Sequence, residues 1–251
     1  MDAHGRPGVT TCALIATARR RGNGGSTPAV FGGMAALFSA GQKGAYYDFT
    51  NLAMLAVNAD GSGGAPSVGG SARWAQDLGP NTNHLRNTVS SVGVRSDGIA
   101  TSGSNYGLFN MRGFGDWPVI AEPLTMVACL EILSFGSTDD RIVGSNGSGQ
   151  ILQGLNSGAI RLFSNYSPEV QPGLRRRFVI SATWDGPRSS IAIDGDAPMQ
   201  WASAGGAMDA LCLGSGTGPG PCAEVHFKRL FVREGLLTAL NRKGVESWAA
   251  A

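Results

Sequence analysis

The residues of this chain that could do chemistry are its carboxylates, three histidines, four cysteines and one glycine-rich loop. Cleaving a glycosidic bond takes two carboxyl groups, about 5–5.5 Å apart for retention or about 6.5–9.5 Å apart for inversion. On a strand that means acids at i and i+2 pointing into one cleft. The chain has no Glu-x-Asp-x-x-Glu. Asp194-x-Asp196 has the spacing, but it sits in an Asp-Gly turn, where Asp is favoured for turn geometry alone. Glu131 is a lone acid in the apolar run 124–133 and is expected to point outward or to pair with an arginine. His4, His84 and His226 have no partner pattern nearby. Gly214-x-Gly-x-Gly-Pro-Gly lacks the Lys-Ser/Thr and the helix that a phosphate site needs, so it reads as a loop.

Asp139 and Asp140, beside a strand end, could ligate calcium with backbone carbonyls, since hard cations take oxygen ligands; a solvated turn is the alternative. The cysteines have no C-x-x-C pairing, which removes the common zinc patterns. Cys129 reads as a buried thiol, while Cys212 and Cys222 flank the glycine loop and either meet across a hairpin or stay free. With no catalytic constellation in view, the sequence reads as that of a non-enzymatic protein needing no cofactor.

The elements that must hold these residues are strands. Charged residues make up only 15% of the 251 positions and glycine fills 38, which suits short strands joined by many turns rather than a helical bundle. A net charge of +2 gives no electrostatic reason to expect a nucleic acid. No apolar run reaches the ~18–20 residues of a membrane span. Cys12–Ala18 is followed by Arg19-Arg20-Arg21, the reverse of a secretory signal, so no export sequence is expected.

Residues 1–33 combine glycines with a basic triplet and read as an extended arm that orders only against a neighbouring molecule. Residues 34–70 form a lead-in and 71–251 a run of about a dozen short strands. Leu124–Leu133 is a candidate central strand, and Val92–Ile99 enters an Asp-Gly turn. Arg141–Ser145, Gln150–Leu155 and Ala159–Phe163 alternate with turns as a meander. Phe178, Ile180 and Ala182 alternate with Val179, Ser181 and Thr183; Ile191 and Ile193 carry the next strand, and Asp194-Gly195 turns it back to Met199 and Trp201. Ala223–Val232 alternates Val225, Phe227, Leu230 and Val232 with polar residues. Leu240, Val245 and Trp248 at helical spacing predict one short helix over 238–250. The fold class expected is all-β, an antiparallel β-sandwich.

Several segments carry a resemblance. Trp74–Leu85 is similar to a "D-x-S-G-N-G-N-H" opening, departing at Leu78, Pro80 and Thr82. Gly93–Gly98 is similar to a "v-x-F-D-G" strand with Ser96 in place of the aromatic residue, and Arg177–Ala197 to an "a-t-w-D-G … i-y-v-D-G" pair of hairpins. Together with Leu211–Gly214, Ala223–Arg233 and the closing helix, they resemble the concanavalin A-like (laminin-G-like) jelly-roll family over about residues 70–251. Ala36–Leu52, with its Leu-Phe, two glycines, Tyr47-Asp48 and Leu52, resembles the start of tailed-bacteriophage virion proteins that precede such a jelly roll.

The two resemblances imply a structural component of a virion: head fibre, decoration, tail or baseplate protein. The arm would dock on other virion proteins, and a symmetric homo-oligomer is expected, because virion parts assemble that way. They also imply a host-surface glycan as a ligand, since sugar rings stack on exposed aromatics while amides bond their hydroxyls. The candidates for those contacts are Tyr106, Trp117, Asn165 and Tyr166. Trp184, Trp201 and Trp248 follow apolar neighbours and are expected in the core.

Overall fold

A computed structural model of the chain describes residues 31–102, 107–111, 117–135, 140–145, 152–155, 157–162, 167–214 and 223–251. Nearly all of the arm therefore lies outside the described residues.

The strands are short where glycine and polar turns crowd and long where apolar alternation is sustained. In the first half they are β1 (Gly44–Asp48), β2 (Leu55–Ala56), β3 (Ser71–Ala72), β4 (Trp74–Ala75), β5 (Leu85–Arg86), β6 (Val92–Arg95), β7 (Gly98–Ala100), β8 (Phe109–Met111) and β9 (Ile120–Ala121). The second half holds β10 (Leu124–Ser134), β11 (Asp140–Gly144), β12 (Leu152–Gly154), β13 (Ile160–Leu162), β14 (Arg177–Trp184), β15 (Ser189–Ile193) and β16 (Met199–Trp201). β17 (Ala207–Met208), β18 (Ala210–Leu213), β19 (Glu224–Glu234) and the helix α1 (Ala239–Ala250) close the chain.

Two antiparallel sheets stack. Sheet I runs β16-β15-β14-β10-β19-β7-β6-β3, with β1 sharing the free edge of β19 beside β7; sheet II runs β13-β12-β11-β18-β8-β5-β4-β2. The expected all-β sandwich with one C-terminal helix is the fold observed. The lead-in belongs to it, because β1 pairs with β19 from Gly44↔Arg233 to Asp48↔Arg229 and β2 pairs with β4. Phe31 also packs on the sandwich, two residues before the expected end of the arm.

The 11-residue β10 is central, as its length and apolarity require, with β14 on one side and β19 on the other. Its even-numbered residues Met126, Ala128, Leu130 and Ile132 join Phe178, Ile180 and Trp184 of β14 in the core between the sheets. In β19 the inward residues Val225, Phe227, Leu230 and Val232 break the two-residue period once. The register shift against β10 between Cys129 and Leu130 accommodates the extra residue, Lys228, as a bulge. The Asp97-Gly98 turn joins β6 to β7, and a Cβ on Gly98 (φ +153°) would stand 2.1 Å from the Phe227 carbonyl oxygen. Only glycine fits there.

The outer face of sheet I carries a second, smaller core. Val127, Cys129, Val179 and Phe231 are covered by Val245 and Ala249 of α1 and by Leu37 and Phe38 of a 3₁₀ turn over Ala35–Phe38. Thr238 caps α1 by accepting the Asn241 amide at 3.2 Å. Leu240, expected on the packed face, is 38% exposed; the buried stripe is Val245 and Ala249. Trp184 and Trp201 lie in the main core, and Trp248 packs edge-on against Tyr46 at 5.8 Å in the outer one. Among the described residues no helix is long and apolar enough to cross a membrane.

Candidate functional site

The outward residues of β10 are Thr125, Val127, Cys129 and Glu131, and α1 roofs only the middle two. Polar groups therefore gather at the two uncovered ends of the same sheet face.

At the Thr125 end, the start of α1 and the β14–β15 hairpin wall a pocket of about 350 Å³. Thr125, Thr183, Ser190, Asp185, Arg188 and Arg242 supply its polar lining, and Leu236 and Leu237 an apolar flank. Thr183 and Ser190 face each other across the ladder with hydroxyls 2.8 Å apart. Asp185 follows the last residue of β14, and its Oδ2 lies 2.9 Å from an Arg188 guanidinium nitrogen. Arg242 Nε lies 3.7 Å from Glu246, which itself accepts the Ser181 hydroxyl. Asp185 Oδ2 and Arg242 Nε are buried without a hydrogen-bond partner among the described residues. The Asp185–Arg188 contact is thus one of charge, without hydrogen-bond alignment, and it is weak because Arg188 is 77% exposed.

At the Glu131 end, the His226 ring sits between two carboxylates. Its Nε2 is 3.3 Å from Asp97, its Nδ1 is 3.7 Å from Glu131, and Arg177 pairs with Asp97. Burial pushes the His226 pKa down, against the pull of Asp97 and Glu131, so the imidazole is mostly neutral at pH 7. Glu131 does face outward, opposite Arg177 and His226 in the ladder. The grouping joins positions 97, 131, 177 and 226, and no local spacing could have signalled it.

A second concavity, about 420 Å³, opens beside β15 and is lined by Glu169, Asp194, Asp196 and Arg176 among others. Asp194 (φ +52°) is held by the turn, its Oδ1 accepting the Val179 amide at 2.8 Å while Oδ2 pairs with Arg176. Its spacing to Asp196 is turn chemistry.

Of the sequence candidates, Tyr106, Asn165, Tyr166 and Asp139 lie outside the described residues. Trp117 offers no face to a ligand: it is 3% exposed in the main core, with Nε1 donating to the Met208 carbonyl at 3.4 Å. Asp140 is a fully buried residue at the start of β11 rather than part of a rim loop, and no three His, Cys, Asp or Glu side chains converge on a metal position among the described residues. Cys212 is a free, buried thiol, pushed up to about 12 by desolvation, and Cys129 is also free and raised by burial. Neither is a nucleophile near neutral pH. Cys222 lies outside the described residues.

No family model matches the chain and no curated protein does. Solved structures do. The fold is similar to a Trypanosoma rangeli sialidase in complex with sialic acid (TM-score 0.56, 14% identity, 85% of this chain and 34% of that one). A second structure of a sialidase from the same organism, with a difluorinated sugar acid, gives 0.57, 13%, 89% and 36%. Domain 4 of an extracellular arabinanase from Geobacillus stearothermophilus, in complex with arabinotriose, gives 0.47, 13%, 82% and 98%. The chain spans about a third of the length of the sialidases it matches.

These likenesses correct the reading of a non-enzymatic protein. The solved structures that share the sandwich are named for glycan-cleaving enzymes, so the fold gives no ground for setting catalysis aside. That reading rested on the missing i, i+2 acid pair, and Asp97, Glu131 and His226 meet from three separate strands or turns.

Proposed function

We propose that this chain is the glycan-binding β-sandwich, of concanavalin A-like type, of a carbohydrate-active protein carried on a tailed-bacteriophage particle. The observation that carries the glycan reading is the pocket between α1 and the β14–β15 hairpin. Hydroxyls, a carboxylate and guanidinium groups line it beside two leucines, a mixture of donors, acceptors and apolar wall that suits a polyol ring. The sialidase with sialic acid, matched over 85% of this chain, is consistent with it.

The particle setting is supported by the likeness of Ala36–Leu52 to virion proteins. In this chain the residues of that motif have structural work: the Tyr47 hydroxyl donates to the Asn83 carbonyl and Asp48 pairs with Arg229 at 3.2 Å. In this reading the arm docks on other virion proteins and the sandwiches form a symmetric homo-oligomer that presents the pocket to host-surface glycans.

The test is a glycan array probed with the full chain, with every bound glycan then assayed for release of reducing ends. Binding of a defined set of glycans is expected. An array with no specific signal would sink the proposal. Turnover lost in Glu131→Gln would make the chain an enzyme acting at the His226 end of the face.

A further inference from the structure

We propose that the pocket where α1 meets the β14–β15 hairpin is a subsite for a carboxylate-bearing sugar, a uronic or nonulosonic acid. This rests on the glycan reading above and names the chemical class that the reading leaves open.

Asp185 and Arg242 bring opposite charges to the wall of this pocket. Asp185 Oδ2 is a buried acceptor and Arg242 Nε a buried donor, and neither has a hydrogen-bond partner among the described residues. Both residues line the same 350 Å³ space, at the small end of the ~300–1,000 Å³ range of small-molecule sites. Those two atoms are themselves closed to solvent, so a ligand would meet the remaining polar atoms of the two side chains, which stay 14% and 29% exposed.

The charges decide which ligand. Asp185 is offset by Arg188, and Arg242 Nε lies 3.7 Å from Glu246, which leaves the far end of the Arg242 guanidinium for a ligand. The first turn of α1 has no acidic residue and its N-terminal end is positive, so the lip of the pocket favours an anionic group. Inorganic phosphate carries its P–OH donors on a compact anion that Asp185 repels and that has no apolar face for the leucines. A neutral sugar brings hydroxyls for Asp185, Thr183 and Ser190 but nothing to complement the guanidinium groups. A sugar acid supplies both, its carboxylate toward Arg242 and Arg188 and its hydroxyls toward Asp185. Leu236, 44% exposed beside the pocket, offers an apolar surface for the C–H face of the ring.

The test is isothermal titration of the full chain with four probes: glucuronic acid, N-acetylneuraminic acid, glucose and inorganic phosphate. At least one sugar acid should bind ten-fold or more tighter than glucose and phosphate, and which one wins identifies the source. Arg242→Met and Asp185→Asn should each weaken that binding about ten-fold, while Arg176→Met, at the other concavity, should leave it unchanged. Should Arg242→Met fail to fold, Thr183→Val removes a hydroxyl from the wall and should cost several-fold. Equal binding of glucose overturns the acid preference, and equal binding of phosphate reduces the pocket to a plain anion site. Failure of all four probes, with a positive glycan array, overturns the pocket while the glycan reading stands; a silent array removes both.

Discussion

Asp77 illustrates how a residue with the look of chemistry is spent on structure. It is 3% exposed, and its carboxylate accepts the amides of Gly79 at 2.7 Å, Asn83 at 2.9 Å and Tyr46 at 3.1 Å. Asn83 in turn donates to the Gly44 carbonyl at 2.8 Å, so the loop between β4 and β5 is laced to β1. Burial nevertheless holds the Asp77 pKa above its usual value, because desolvation outweighs the three amides. Asp77→Ala would orphan three amides at once. With each buried orphan costing about 1–3 kcal/mol and some admitting water, the expected loss is about 2–4 kcal/mol in chemical denaturation. A loss below about 1 kcal/mol would mean the loop is not tied down this way. The Trp74–Leu85 resemblance marked this segment without revealing that Asp77 and Asn83 are its pins. Trp117 shows the converse. Its Gly-Asp-Trp-Pro surroundings look like an exposed loop, and only the fold brings the Met208 carbonyl to its indole N–H.

At the scale of elements, the apolar row of α1 sits in the outer core, flanked by Trp248 against Tyr46 and Glu246 against Ser181. Val245 and Ala249 are fully buried against Val127, Cys129, Val179 and Phe231, none of which belongs to the core between the sheets. Val245→Asp should therefore undock α1 and leave the sandwich standing. The expected cost is roughly 2–4 kcal/mol, the burial of one or two apolar side chains. Amide exchange should lose protection over 239–250 while β10 and β14 keep theirs; joint loss in helix and strands would show that the layers are one cooperative unit. The elements were legible wherever a period was sustained. β10, β14, β15 and α1 fall close to their expected places, and β19 does too once the Phe227–Leu230 gap is seen as a bulge. The site was not legible. Period-two alternation tells which face a residue occupies, but Thr125 and Glu131 gain meaning only from Arg242, Asp185, Asp97 and His226, which topology alone places beside them. Leu240 misled for the same reason: helical spacing says which residues share a stripe, not which stripe meets the sheet.

For the whole molecule, three layers (helix and 3₁₀ turn, sheet I, sheet II) leave few titratable groups inside among the described residues, and three of these carry its expected response to acid. His226 and His84 are both held below 6.5 by burial, His226 between Asp97 and Glu131 and His84 beside Trp74 with its Nδ1 accepting the Asp77 amide. Each therefore binds a proton less readily folded than unfolded. Their contribution to stability is complete above pH 6.5 and is lost as the pH falls through their lowered folded values. Asp77 acts with the opposite sign: its raised pKa lets the native state take up a proton first, so its cost is relieved only in more acidic solution, on the way down to 3.8. The denaturation midpoint should thus fall between pH 8 and pH 5.5. His226→Gln, which keeps a polar side chain between Asp97 and Glu131 but cannot titrate, should flatten that slope. A midpoint that rises toward pH 5.5 in the wild type would mean that protonated His226 is held by its two carboxylates more strongly than burial opposes it. In that case the Glu131 end of the sheet face would carry an imidazolium at mildly acidic pH.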